Sequence, residues 1–120
     1  NVLINKFKSF FQNQEKISSV RKEFIDILRK TKKISMENNS KLYFIYLPHY
    51  SRYKSNNNFE TYEIIKNITK KLNIDFIDIH IEILSKEKNP LELYPFELNG
   101  HFNEKGYKKI ALKIDEIINQ

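Results

Sequence analysis

The sequence predicts an α/β domain with parallel strands, and three observations carry that prediction. Two short runs rich in aromatic and branched residues, KLYFIYLP at 41–48 and IDFIDIH at 74–80, read as strands. Between them Ile64, Ile65, Ile68 and Leu72 recur at helical spacing. Strand, helix, strand in that order is a parallel crossover, and further helical segments flank the unit on both sides.

Along the chain, Ile17, Val20, Phe24, Ile27, Leu28 and Ile34 fall on one helical stripe with charges between them, so residues 17–36 form an amphipathic helix. Asn38, Asn39 and Ser40 end it. Upstream, Phe7, Phe10 and Phe11 either continue this helix or belong to a separate docking segment at residues 1–16. At 120 residues the whole chain fits one domain, 1–120, which buries roughly two thirds of its unfolded surface.

The near-continuous hydrophobicity of 41–48 predicts an internal strand covered on both faces, stopped by Pro48. HYSRYKSNNN then reads as a loop at the strand's carboxyl end, where open α/β sheets bind their ligands. Tyr50 and Arg52 are the substrate-binding candidates there, the ring for flat apolar contact and the guanidinium as an anion clamp. Tyr53 belongs to the same cluster. Asn58 is placed to cap the next helix and Asn73 to close it.

After the second strand, EKNPLELYPFELNG at 87–100 carries two prolines and a glycine and reads as a loop. Loops of that length inside a compact domain are usually functional or mobile. The last helix is the clearest element: Tyr107, Ile110, Ala111, Ile114, Ile117 and Ile118 form its apolar stripe, and Asn103 caps it. Gly106 in its first turn permits a close backbone approach.

Composition narrows the partners. The net charge is +6, but 18 of the 21 basic residues are lysines scattered along the chain, the others being Arg21, Arg29 and Arg52. Nucleic-acid binding needs a patch rather than a total, so no nucleic-acid partner is expected. No apolar run approaches the roughly 20 residues of a membrane span. With no cysteine, thiolate chemistry and disulfides are excluded, and the compartment stays open. His49, His80 and His101 do not pair at metal-ligand spacing, and no cofactor or metal is expected. Asp75 and Asp78, three apart on a strand, point to opposite faces and do not make a paired-carboxylate site.

His101 lies on a polar loop two residues before the helix cap, either as a helix-entry residue or as a catalytic base. The stretch GHFNEKGYKKIA, with His101, Asn103, Gly106, Tyr107 and Ala111, resembles the C-terminal catalytic block of the SGNH (GDSL-type) hydrolases. The preceding LYPFELNG is similar to the approach to that block in some bacterial members. The resemblance extends over roughly residues 20–119 and implies a three-layer, flavodoxin-like parallel sheet, of which this chain would be the C-terminal portion.

For function, the resemblance implies a serine ester hydrolase in which His101 accepts the nucleophile's proton and an acyl-enzyme forms and is released by water. The substrate would be an acyl ester of a small molecule, a carbohydrate or a lipid. An acid stands three residues before the histidine in the common family pattern, and that position is Leu98 here, so Glu97 and Asn99 are the candidates for orienting the ring. The family's glycine-bearing nucleophile and oxyanion blocks do not occur in a chain whose only glycines are Gly100 and Gly106. Ser51 is the best-placed serine, without a strand-to-helix elbow around it. The chain is therefore expected to be inactive alone and to need the N-terminal half of the same domain. The alternatives are an O-acyltransferase of the same fold and a non-catalytic α/β interaction module.

Overall fold

The computed structural model of the chain describes residues 2–55 and 59–120. It divides into two compact units, 1–42 and 43–120. The first consists of one long helix, α1 (Val2–Glu37), about 54 Å in length at 1.5 Å per residue. Its backbone takes in residues 2–16 of the candidate docking segment 1–16, and the side chains of Phe7, Phe10 and Phe11 lie outside the described residues. The asparagines stop it as expected: Asn39 takes a left-handed φ of 52°, and Ser40 N–H donates back to the Ser35 carbonyl at 2.8 Å.

The second unit contains β1 (Tyr43–Tyr46), α2 (Ser51–Lys54), α3 (Glu60–Lys71), β2 (Asp75–Asp78), α4 (Ile79–Glu82) and α5 (Glu104–Ile118). β1 and β2 pair in parallel with Tyr43 opposite Asp75 and Tyr46 opposite Asp78, so the two strands end level. The parallel crossover is as the sequence predicts. The three-layer, flavodoxin-like sheet is not: the protein is 66% helical and its sheet has two strands among the described residues.

The physical reasons are local. Among the described residues YFIY and DFID are the two runs that form strands, because the other apolar runs repeat with a helical period or are interrupted by Pro90 and Pro95. β1 is not an internal strand covered on both faces, since Ile45 and Leu47 are 36% and 45% exposed. The expected strand at 74–80 stops at Asp78, whose carboxylate accepts from the backbone N–H groups of His80 and Ile81 and starts α4 there.

Residues 87–100 fold into defined turns. They contain two 3₁₀ turns, Pro90–Leu93 and Pro95–Glu97, the first capped by the Asn89 side chain accepting from Leu91 N–H at 3.2 Å. Leu93 and Tyr94 between the prolines are 0% and 1% exposed, at the centre of a core that also holds Ile77, Ile79, Leu84, Phe102 and Ile110. Burial of these two side chains offsets the ordering of a segment whose prolines alone read as loop.

α3 closes at Asn73, which adopts φ 51°, as the sequence indicates. Asn58 lies outside the described residues, and the residue at the helix's N-cap position is Phe59. In α5, Asn103 caps as expected, its Oδ1 accepting from Gly106 N–H at 2.9 Å. The stripe that packs is narrower than the sequence pattern: Ile110 is buried and Ile114 and Ile117 lean on the core, while Tyr107 and Ile118 stay exposed.

Candidate functional site

The carboxyl ends of β1 and β2 gather the polar side chains of the second unit. Asp78 ends β2 as a buried carboxylate. Its Oδ1 accepts the two N–H groups that cap α4, and its Oδ2 accepts from the Tyr62 hydroxyl of α3 at 2.5 Å. Burial pushes the Tyr62 phenol up to about 12, and the hydrogen bond to Asp78 and its charge add to this while Arg52 opposes it.

Beside them, the Tyr53 hydroxyl lies 2.9 Å from His80 Nδ1. Burial holds the His80 imidazole below its ordinary value, with Arg52 acting in the same sense and Asp78 against it. Tyr53 is pushed upward, chiefly by burial. A protonated phenol facing a neutral ring donates into Nδ1 and leaves the ring proton on Nε2.

Two tyrosines stitch the loop after β1 to the 3₁₀ segment. The Tyr50 hydroxyl donates to the Glu97 carbonyl at 3.0 Å, and the Tyr94 hydroxyl donates to the Pro48 carbonyl at 2.9 Å. Their rings meet edge to face with centroids 5.5 Å apart. Tyr50, a substrate-binding candidate by sequence, is thus a core residue with its hydroxyl committed. Arg52 is not committed in that way: its guanidinium lies 4.7 Å from the Phe59 ring centroid and 4.8 Å from that of Tyr62, and donates to the Tyr46 hydroxyl at 3.3 Å.

His101 is exposed and makes no hydrogen bond among the described residues. The backbone on its carboxyl side is fixed. Phe102 is buried and stacks on Tyr94 at 4.7 Å, Asn103 N–H donates to the Leu93 carbonyl at 2.9 Å, and Asn103 Nδ2 donates to the Glu92 carbonyl at 2.8 Å. Neither candidate partner meets the ring. The Glu97 carboxylate accepts from Asn89 Nδ2 at 2.6 Å, and Asn99 is exposed with its side chain unbonded among the described residues.

Ser51 Oγ lies 2.9 Å from His49 Nδ1, a pairing that sequence spacing did not suggest. A helix does begin at Ser51, but Tyr50 before it is right-handed helical, φ −46° and ψ −42°, and no described residue from 43 to 55 has a positive φ. The strained elbow that exposes a hydrolase serine is not formed. Asp75 is exposed and Asp78 buried, on opposite faces as the strand period requires. No group of three or more His, Cys, Asp or Glu side chains that could hold a metal occurs among the described residues. No helix among them is long and apolar enough to cross a membrane.

The Tyr62–Asp78 pair gives a testable pH dependence. Tyr62 titrates at about 12 in the folded chain against 10.0 ordinarily, so the folded state holds its proton longer than the unfolded state does. Its contribution to stability is complete below pH 10 and is lost as pH rises toward 12. Urea melts across this window are expected to fall less steeply for Tyr62→Phe than for the parent. Parallel curves would remove Tyr62 as the source.

Compared with known proteins, the chain matches no family model, no curated protein and no solved structure.

Proposed function

We propose that this chain supplies the general-base histidine, His101, of a serine ester hydrolase whose nucleophile comes from residues outside it. The observation that carries this reading is an exposed imidazole with no internal hydrogen bond on a backbone pinned by Phe102, Asn103 and Gly106. A base must be held in position yet keep its ring nitrogens for the reacting group, and this arrangement does both.

In the proposed reaction His101 accepts the proton of the serine hydroxyl as that oxygen attacks the ester carbonyl, then returns it to the leaving alcohol. Water repeats the sequence on the acyl-enzyme. Because the Glu97 carboxylate is held by Asn89, the reading assigns the orienting role behind the ring to Asn99, whose amide oxygen can accept from the imidazole and fix its tautomer.

The test is hydrolysis of p-nitrophenyl acetate and of acetylated sugars and lipids by the full-length gene product that bears this chain, with His101→Ala beside it. A loss on the order of 10⁴-fold or more is expected, as for removal of a triad base. Since His101 is exposed, the variant's circular dichroism and melting temperature should match the parent's. Equal rates in the two proteins, or no hydrolysis by a folded parent, would replace the hydrolase with a non-catalytic interaction module.

A further inference from the structure

We propose that His49, Arg52 and Thr61, with Ser51 holding the His49 ring, form a binding site for a phosphate-type oxyanion at the carboxyl end of β1. These four side chains and the rings of Phe59 and Tyr62 line a pocket of about 170 Å³. The site is separate from His101 and does not depend on the hydrolase reading.

Arg52 is the centre of the argument. No carboxylate pairs with it among the described residues, and of its five N–H donors one is engaged, at the Tyr46 hydroxyl. Aromatic rings hold the guanidinium in place through the cation's attraction to their faces, but they leave the edge of its fork unoccupied. A partly buried, positioned cation with unused donors facing a pocket is built to meet an anion.

The other donors define which anion. Ser51 N–H donates to His49 Nδ1 at 3.2 Å, so that nitrogen is an acceptor and the ring's proton lies on Nε2. The Ser51 hydroxyl, on α2 and 2.9 Å from that acceptor nitrogen, donates its proton there and holds the ring, while the Thr61 hydroxyl, on α3, keeps its proton for the pocket both residues line. The donors of His49, Arg52 and Thr61 come from a turn and two different helices. They suit the four oxygens of a tetrahedral ion better than the single plane of a carboxylate. The volume corresponds to roughly five or six water molecules at about 30 Å³ each, enough for phosphate or the phosphate end of a monoester.

The experiment is a titration of the full-length protein with sodium phosphate, sn-glycerol 3-phosphate, sodium acetate and sodium chloride at matched ionic strength, read by calorimetry and melting temperature. Saturable binding of phosphate with a rise in melting temperature is expected, together with loss of both in Arg52→Gln and retention of both in Lys54→Gln. If Arg52→Gln does not fold, the His49→Ala/Thr61→Ala double variant serves, with at least tenfold weaker phosphate binding expected. Tighter binding of glycerol phosphate identifies a monoester as the ligand, equal binding identifies the free ion, and both uphold the site. An equal response to acetate or chloride, or an unchanged response in Arg52→Gln, overturns it.

Discussion

Asp78→Ala is expected to destabilise the chain by about 2–4 kcal/mol, because one carboxylate satisfies three donors in a place where water reaches poorly. The Tyr62 phenol is buried with it, and an orphaned buried donor costs about 1–3 kcal/mol. Loss of the cap on α4, which rests on the N–H groups of His80 and Ile81, adds about 1 kcal/mol. Asp78→Asn separates the two contributions, since its amide oxygen can still cap α4 while its charge is gone. Urea unfolding of the parent and both variants should rank them parent, Asn, Ala. The Tyr62 titration should move downward in Asp78→Asn without reaching 10.0, because burial is the larger cause of its shift. An alanine variant within about 0.5 kcal/mol of the parent would remove this carboxylate from the stability of the strand ends.

Gly106→Val is expected to cost about 2–3 kcal/mol, and the residue it strikes is backbone. A Cβ at position 106 would meet the Leu93 carbonyl oxygen at 2.7 Å and the Phe102 Cβ at 3.1 Å. That carbonyl already accepts from Asn103 N–H and belongs to a residue with no solvent exposure, so neither partner can withdraw. The gain that a glycine replacement brings to a helix interior, a few tenths of a kcal/mol for valine, is outweighed by overpacking. Gly100 supplies the contrast: a Cβ there meets nothing within 4 Å, and Gly100→Ala should be neutral or stabilising by up to about 1 kcal/mol. Thermal melts that lowered both variants equally would show that helix entry, and not the contact with Leu93, is what Gly106 serves.

What the sequence made readable is what local chemistry decides. Asn103 capped α5, Asn39 and Asn73 took the left-handed turns that close their helices, and Gly106 marked a close approach. The parallel pairing of 43–46 with 75–78 followed from strand, helix, strand. What was not readable depends on partners far away in the chain. Prolines 90 and 95 punctuate a loop by every local rule, yet Leu93 and Tyr94 between and beside them fill the core because Tyr50, Phe102 and Ile110 come to meet them. The three-layer sheet is implied by the resemblance and not by the residues, and the described residues form two strands.

The candidate site divides along the same line. The position of His101 before a capped helix was legible, whereas the direction of the Glu97 carboxylate was set by Asn89 through a side-chain contact that no spacing rule foretells. The Tyr62–Asp78 bond escaped notice because a tyrosine on a helix and an aspartate on a strand carry no signature until the crossover brings them together.

The reciprocal tyrosine bonds, Tyr50 to Glu97 and Tyr94 to Pro48, bear on how this protein can change over generations. Each loop anchors the other's main chain with a side chain of its own, so an insertion or a deletion in either one displaces the acceptor its neighbour needs. The turn that presents Arg52 and the corner that precedes His101 are therefore inherited as a pair. Lineages that remodel one for a new ligand must pass through sequences in which both are altered, and tolerated variation should concentrate outside the two stretches they join.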